Sequence, residues 1–178
     1  MGNKLIYEFS SHKTDGDASL NNLLGGKGAN LAEMSKLGIE VPPGFTITTE
    51  ACNYFSKNKH LPEGLKEEIT SSVSLLESYS EKRFGVGGSP LLLSVRSGGT
   101  ISMPGMMDSI LNIGVNDENV NDLAEAFDDE RFALDSYRRL IQMYSNVVLG
   151  VEHERFEAVI ANKKRMDDVV SDADFNID

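Results

Sequence analysis

The amino-acid sequence predicts an α+β fold in which a mixed part precedes a helical part. Before Val115, short runs with strand character alternate with helical patterns. After Val115, three consecutive segments have the apolar spacing of helices. We therefore predict a mixed α/β part over residues 1–111 and a helical subdomain over residues 112–178.

The composition is that of a globular domain. Hydrophobic residues make up 40% of the 178 positions and charged residues 25%, which suits a protein with a core and a solvated surface. No apolar run approaches the roughly 18 residues of a membrane span, and no secretory signal is visible. We therefore expect a cytoplasmic protein without a membrane partner. The net charge of −11 argues against a nucleic-acid partner, although a few local cations suffice to hold a nucleotide.

Cysteine and histidine are too sparse for a metal centre within this chain. Cys52 is the only cysteine, and His12, His60 and His153 lie far apart without metal-ligand spacing. We therefore predict no disulfide, no metal ligands and no nucleophile–histidine pair here.

The mixed part is predicted to begin with two strands around a glycine-rich helix. Residues 4–9 alternate in polarity as a strand does, and the polar residues 10–22 are expected to form a loop. Apolar residues from Leu31 onward recur at helical spacing, and Gly38 is a natural stop for that helix. A rigid Pro-Pro-Gly turn then leads into a second strand over residues 45–48.

The rest of the mixed part is predicted to contain two helices and two extended segments. Thr49 can cap a short helix, and a long amphipathic helix follows from Pro62 to near Gly85. Residues 91–96 have the length and composition of a buried strand, and residues 107–114 form a further extended segment.

The helical part is predicted to contain helices over residues 118–127, 129–149 and 152–165. The residues predicted to line one apolar face of the longest helix are Ala133, Tyr137, Leu140, Tyr144 and Val148. Residues 167–178 lack the character of a helix stop, so we expect that the sequence is a piece cut within a domain.

An arginine ends the strand predicted over residues 91–96 and is followed by a loop of small residues. Ligand-binding groups in α/β folds often follow the carboxyl end of such a strand. Arg96 offers a bidentate fork there, and the loop offers backbone N–H groups and hydroxyls without bulk, which is what a bound phosphate needs. The loop residues in question are Ser97, Gly98, Gly99, Thr100 and Ser102. The alternative is that Arg96 is a structural ion-pair partner.

A second candidate for phosphate binding is the segment Gly25-Gly26-Lys27-Gly28 at the predicted start of the first helix. It is not a Walker A motif, because Gly28 follows the lysine where Ser or Thr is needed. Backbone N–H groups at a helix start and the charge of Lys27 would still favour a phosphate. The alternative is a tight turn with no ligand. Because Lys27 and Arg96 each stand beside a glycine-rich loop, nucleotide binding is the better hypothesis.

The remaining methionine, acidic and arginine residues of note are expected to have structural roles. Met103, Met106 and Met107 are interpreted as core filling, with a loop that closes over a ligand as the alternative. Asp108 is expected in a turn or cap, with a magnesium contact as the alternative. The acidic residues 128–130 are expected to cap the following helix, and the arginine pair at 138–139 to be solvated or ion-paired.

Several segments together resemble the N-terminal region of the pyruvate, phosphate dikinase family. They are residues 23–34 with Gly-Gly-Lys-Gly, residues 41–46 with Val-Pro-Pro-Gly-Phe-Thr, residues 94–108 with Val-Arg-Ser-Gly-Gly, and residues 135–144. The sister family, phosphoenolpyruvate synthase, shares Gly-Gly-Lys and Val-Arg-Ser but usually continues with an acidic stretch. This chain continues with Ile101-Ser102-Met103-Pro104 instead, which favours the dikinase.

The resemblance implies the first part of an ATP-grasp-like nucleotide-binding domain with a helical subdomain. The family's enzymes convert ATP, phosphate and pyruvate into AMP, pyrophosphate and phosphoenolpyruvate with the help of magnesium. Phosphoryl groups travel on a histidine of a central domain to a C-terminal pyruvate-binding barrel. The implied partners are therefore ATP and those remaining domains, and the implied full-length enzyme is a homodimer.

The resemblance also assigns roles to residues. The lysine matching Lys27 and the arginine matching Arg96 contact ATP phosphates, and the loop matching residues 97–103 lies over them, which adds Met103 to the candidates. Some members carry arginine at the position of Thr100, so a phosphate contact there is in question. The carboxylates for magnesium–ATP and the Thr-Ser-His-Ala motif have no match here. We therefore expect the metal ligands and all catalytic residues outside this chain, and no activity from this chain alone.

Two rival functions remain open from the sequence. One is a pyruvate, water dikinase, which uses water in place of phosphate. The other is a non-catalytic nucleotide-binding or interaction module that keeps the fold.

Overall fold

The computed structural model describes residues 4–98, 109–172 and 175, which form two compact units. The first unit contains the described residues of 1–81 and 97–107, and the second those of 82–96 and 108–178. Both units contain helices and strands, which confirms the mixed helix-and-strand class. The boundary near residue 112 remains a prediction.

The first unit is built on a two-stranded antiparallel sheet. In this sheet Ile6 lies opposite Ile47, and Phe9 lies opposite Gly44. The first helix packs against both strands and against the second helix, and the third helix packs against the first strand. The element bounds are β1 (Ile6–Phe9), α1 (Asn21–Lys36), β2 (Gly44–Ile47), α2 (Thr49–Asn58) and α3 (Leu65–Ser80), with a short 3-10 helix at Ala18–Leu20 before α1.

The core of the first unit joins one residue from each of three elements. Ile6 of β1, Ala51 of α2 and Leu65 of α3 are 5%, 2% and 2% exposed and contact one another. Burying an aliphatic side chain of the size of Ile or Leu contributes about 1.5–3 kcal/mol. These contacts therefore fix α2 and α3 relative to the sheet.

Helix boundaries in this unit differ from the predictions at three places. The polar segment 10–22 contains the 3-10 helix and the start of α1. The cap of α2 is Thr48, whose buried hydroxyl accepts from the Ala51 N–H at 3.4 Å, whereas Thr49 lies inside the helix and donates to the Asn22 carbonyl at 2.8 Å. Helix α3 ends at Ser80, well before Gly85, because Glu81 adopts a left-handed conformation that terminates it.

The second unit combines a β-hairpin-like pair with three helices. Leu93 lies opposite Ile113 and Arg96 opposite Ser109 in an antiparallel pair that is irregular between Leu93 and Val95. The helices confirm the three that were predicted after Val115, with ends that differ by a few residues. The element bounds are β3 (Leu93–Arg96), β4 (Ser109–Ile113), α4 (Val120–Phe127), α5 (Glu130–Val147) and α6 (His153–Asp167).

The core of the second unit lies where α4 and α5 meet. Val115, Val120, Leu123 and Ala133 form one buried cluster, and Leu123 and Ala133 are completely buried. Asn119 directly precedes α4 and orders the turn that leads into it. Its fully buried side-chain amide accepts a hydrogen bond from the Asn116 N–H at 2.8 Å and donates one to the Gly114 carbonyl at 2.8 Å. A buried amide with both ends paired avoids the desolvation cost of an unpaired polar group.

The prediction of a buried strand over residues 91–96 is wrong for most of its length. Leu91 is buried, but Ser94, Val95 and Arg96 are exposed, and 54% of Val95 is accessible. Within the described residues, β3 has only β4 as a neighbour and belongs to an antiparallel pair. A strand is buried on both faces only when other layers cover both sides of its sheet. The apolar composition of residues 91–96 was therefore not sufficient to predict their burial.

Two surface predictions for the second unit are confirmed. Asp129 caps α5 by accepting from the Phe132 N–H at 2.8 Å. Both residues of the arginine pair contact Asp135, at 2.7 Å from Arg138 and 2.7 Å from Arg139. Partial burial alone would raise the pKa of Asp135, but hydrogen bonds and charge from these two arginines lower it overall.

The replacement Asp17→Asn tests the ion pair that joins the 3-10 helix to the end of α1. Asp17 accepts from Lys36 at 2.9 Å and caps the 3-10 helix, and these contacts lower its pKa from 3.8 to about 2. A carboxylate with a lowered pKa stabilises the fold at pH values above its unfolded pKa and loses that contribution as pH falls through its folded pKa.

We expect thermal unfolding to show a small loss of Tm for Asp17→Asn at pH 7, and we expect this loss to shrink as pH falls from 4 to about 2. Asp128→Asn is the control, since Asp128 is exposed and has no ion-pair partner among the described residues. A loss of Tm that is independent of pH would contradict the ion-pair explanation.

Candidate functional site

Lys27 lies in the first turn of a helical segment that begins after a break at Gly25. Gly25 has φ 68° and ψ 165°, a conformation outside the helix that glycine adopts without steric cost. The helical segment that carries Lys27 therefore starts at Gly26, within the glycine-rich segment that was predicted to lie at the helix start. The backbone N–H groups in the first turn of a helix point toward its start and carry partial positive charge, so this position favours an anion.

The glycines around Lys27 also have a packing role. A Cβ atom at Gly28 would lie 2.7 Å from Thr46 Oγ1 and 2.8 Å from Thr46 Cγ2, so only glycine allows α1 to approach β2 this closely. Gly25, Gly28, Ala29 and Ala32 form a buried row of small residues on the same helix. A Cβ at Gly26 would meet Asn21 Oδ1 at an ordinary 3.5 Å. The turn therefore accounts for Gly25 and the packing against Thr46 accounts for Gly28, whereas neither accounts for Gly26 and Lys27.

Lys27 contacts the predicted phosphate loop directly. Its Nζ donates a hydrogen bond to the Ser97 carbonyl oxygen at 3.3 Å, across 70 positions of sequence. Ser97 and Gly98 are exposed, and Lys27 is half-buried. The first unit thus brings the glycine-rich helix start to Ser97, the first residue of the predicted small-residue loop.

Arg96 belongs to the second unit, where it is the last residue of β3. Its side chain is exposed, and its backbone pairs with Ser109 of β4. Within residues 4–98, 109–172 and 175, no carboxylate forms an ion pair with Arg96. The structural ion-pair interpretation therefore has no partner in the described part of the chain, and the guanidinium keeps its donors available.

The other candidates lie outside the described residues. They are Gly99, Thr100, Ser102 and Met103, together with Met106, Met107 and Asp108. Their proposed roles stay predictions. Among the described residues, no group of three His, Cys, Asp or Glu side chains could hold a metal ion.

Within the described residues, none of the helices combines the length and the apolar composition that a membrane span requires.

One feature of the site was missed from the sequence, namely the Ser97 carbonyl as the acceptor for Lys27. The sequence singled out Ser97 for its hydroxyl and N–H, because no local pattern identifies the acceptor of a hydrogen bond between distant segments. The close approach of Gly28 to Thr46 was also missed, although the sequence gives a weak indication of it, namely a glycine inside a helical pattern. A glycine inside a helical pattern is unfavourable by about 1 kcal/mol relative to alanine and usually has a packing or functional reason.

Comparison with known proteins agrees with the resemblance seen in the motifs. Residues 21–82 match the family model described as pyruvate phosphate dikinase, AMP/ATP-binding domain. The chain is 51% identical over 178 residues to a pyruvate, phosphate dikinase of Rickettsia prowazekii, 52% identical over 162 residues to one of Rhizobium meliloti, and 48% identical over 176 residues to one of Clostridium symbiosum.

These matches cover 99%, 90% and 98% of this chain but only 20%, 18% and 20% of the respective relatives. The chain therefore spans about a fifth of the length of the relatives it matches. The resemblance is confirmed over nearly the whole chain. Lys27 lies within the region matched by the AMP/ATP-binding family model, whereas Arg96 and its loop lie beyond it.

The replacement Gly28→Ala tests the close approach of α1 to β2. We expect a loss of about 1–3 kcal/mol in the free energy of unfolding, because the added methyl overpacks against the β-branched Thr46. Chemical denaturation measures the loss.

Gly26→Ala is the matched control, for which we expect no loss or a gain of up to about 1 kcal/mol from helix propensity. The double replacement Gly28→Ala with Thr46→Ala should recover part of the stability lost in the single variant. Equal effects of the two single alanine replacements would show that Gly28 is not needed for the close approach.

Proposed function

We propose that this chain forms part of the ATP-binding domain of a pyruvate, phosphate dikinase, of the ATP-grasp-like class, and that Lys27 and Arg96 contact the phosphates of ATP. The observation that carries the proposal is the hydrogen bond from Lys27 to the Ser97 carbonyl, which puts the helix-start cation against the predicted phosphate loop. The match of residues 21–82 to an AMP/ATP-binding family model supports it.

The hydrogen bond between Lys27 and Ser97 leaves the Lys27 side chain able to move toward a bound phosphate. At 3.3 Å the hydrogen bond lies beyond the usual range for such bonds. A lysine ammonium has three N–H donors, so Lys27 can keep the carbonyl contact and donate to a phosphate oxygen as well. Bonds between charged partners are stronger than bonds to a neutral carbonyl. We therefore expect ATP to draw Lys27 toward its phosphates while the loop stays close.

Arg96 contributes a different kind of contact. Its planar guanidinium can donate two parallel hydrogen bonds to one phosphate group, which fixes the orientation of the phosphate as well as its charge. The residues after it, Ser97 and Gly98, are small and exposed, and the proposal extends to Gly99, Thr100, Ser102 and Met103 as the remaining loop contacts. Fixed cations of this kind hold and neutralise the charge of a phosphoryl group during its transfer.

We infer that the complete reaction needs groups outside this chain. We infer that the reaction converts ATP, phosphate and pyruvate into AMP, pyrophosphate and phosphoenolpyruvate, with magnesium ligands and a phosphohistidine supplied by the rest of a longer polypeptide. The described residues hold no cluster suited to magnesium, so no step is assigned to that ion here. His12 stacks on Tyr79, His60 contacts the Leu61 carbonyl, and His153 faces Glu157, so each has a local partner.

Calorimetric titration with magnesium–ATP tests the roles of Lys27 and Arg96. We expect Arg96→Ala to weaken binding roughly 10–100-fold, which corresponds to the loss of a charge-assisted hydrogen bond worth about 1.5–3 kcal/mol. Lys27→Ala should weaken it by a similar factor. The matched controls are Arg155→Ala and Lys57→Ala, both exposed side chains on other helices, which should leave affinity unchanged.

The same titration is made on full-length pyruvate, phosphate dikinase of Rickettsia prowazekii with the positions aligned to Lys27 and Arg96 replaced. Binding by the longer protein alone, weakened by both replacements, would show that this chain carries only part of the site. If neither protein binds magnesium–ATP while both are folded, the non-catalytic interaction module becomes the better explanation.

We predict that the 178-residue chain, supplied with magnesium–ATP, phosphate and pyruvate, forms no phosphoenolpyruvate. The reason is that none of its three histidines lies in the Thr-Ser-His-Ala context of the family's phosphohistidine. A coupled assay for phosphoenolpyruvate, with the Rickettsia prowazekii enzyme as the positive control, measures this directly. Any turnover by the purified chain would overturn the assignment of catalysis to another part of the polypeptide.

A further inference from the structure

Helix α6 buries none of its side chains among the described residues. It is 15 residues long, a length at which an isolated helix is only marginally stable in water. The apolar residues Phe156, Val159 and Ile160 nevertheless recur at helical spacing on one side of it. Such a stripe stabilises a helix only when another element covers it.

These side chains line an open groove between α5 and α6. The groove has a volume of about 590 Å³ and is apolar over most of its wall. On α5 it is lined by Leu134, Tyr137 and Ile141, and on α6 by Phe156, Val159 and Ile160. Ile141 is 46% exposed and Val159 69% exposed, so large aliphatic groups face solvent here.

The rim of the groove is polar, and its charged side chains have partners within the unit. Arg138 pairs with Asp135 at 2.7 Å, and Lys163 pairs with Asp167 at 2.9 Å. Among the described residues, Arg138 and Lys163 thus have carboxylate partners and Arg131 has backbone carbonyl partners, so the groove offers mainly apolar contact to an incoming segment. Its occupant must therefore bring an apolar face.

The chain after α6 already enters one end of this groove. The Arg131 guanidinium donates to the Phe175 carbonyl at 3.1 Å and to the Asp172 carbonyl at 2.8 Å. Phe175 is partly buried and contributes to the groove lining. The polypeptide is thus held against α5 at the point where an apolar side chain begins to fill the groove.

We propose that this groove binds an amphipathic helix from a further part of the same polypeptide. Both walls are helices whose backbone hydrogen bonds are internal, so the groove has no strand edge to extend, and a third helix is the element that packs into it. The relatives are about five times as long as this chain, so the same molecule can supply such a helix. A tethered helix docks at high effective concentration and needs little affinity of its own. The proposal does not depend on nucleotide binding.

Hydrogen exchange followed by mass spectrometry tests the proposal on two proteins. One is the 178-residue chain, and the other is Rickettsia prowazekii pyruvate, phosphate dikinase in which this chain replaces the matching region. We expect the amides of residues 153–167 to exchange rapidly in the short chain and at least roughly tenfold more slowly in the long one.

Val159→Asp should abolish the slowing in the long protein, because it puts a charge into the apolar interface, and should leave the Tm of the short chain unchanged. Ala161→Asp is the matched control, since Ala161 is exposed on the same helix and does not line the groove, and it should keep the slowing. If the replacement protein fails to fold, the Rickettsia enzyme itself, with aspartate at the position aligned to Val159, gives the same comparison.

Two results would overturn the proposal. Equal exchange of residues 153–167 in the short and long proteins would show that no further segment covers α6. A dimer of the short chain in sedimentation equilibrium that Val159→Asp dissociates would show that a second copy of the chain occupies the groove.

Discussion

The close approach of α1 to β2 at Gly28 is the constraint on which the candidate site depends. A side chain at that position would collide with Thr46, so the helix reaches the strand only because the residue is glycine. Gly25 breaks the helix three residues earlier and fixes where the helical segment begins. Lys27 lies between these two fixed points, so only its own side-chain torsions remain to be ordered by a ligand. Ordering fewer groups on binding costs less conformational entropy, which favours a preorganised site.

An acidic protein can hold an anion if its cations are distributed unevenly, and the ion pairs of this chain show such a distribution. Lys13 contacts Glu8 and Asp15, Lys36 contacts Asp17, and Lys164 contacts Asp172. The protein has a net charge of −11, and these lysines are each neutralised by a neighbouring carboxylate. Within the described residues, neither Lys27 nor Arg96 has a carboxylate partner, so each retains its charge for a ligand. Such local charge decides phosphate binding more directly than the total does, since salt screens charges beyond about 8–10 Å.

The sequence predicted those features that depend on local geometry and failed where neighbours decide. The glycine-rich helix start, the acidic cap at Asp129 and the ion-paired arginines 138–139 follow from short-range steric and electrostatic rules, and all three are present. The burial of β3 was predicted wrongly, because its apolar composition cannot reveal how many layers cover it. The contact between Lys27 and Ser97 could not be predicted either, since it spans 70 positions and depends on the complete chain path.

The burial along α5 shows how far periodicity can be taken. Its predicted apolar face runs from Ala133 to Val148, but Ala133 is fully buried whereas Tyr144 is 46% and Val148 52% exposed. The core of the second unit covers the face as far as Leu140, and the apolar spacing continues beyond it. Apolar periodicity therefore indicates that a helix face can pack against another element, but it does not identify that element. The apolar side chains of α5 that line the groove and the unburied α6 belong to one unit, and one helix docked in the groove would cover both of its walls. This mismatch between apolar pattern and burial is the physical reason for the proposal that a further helix covers the face.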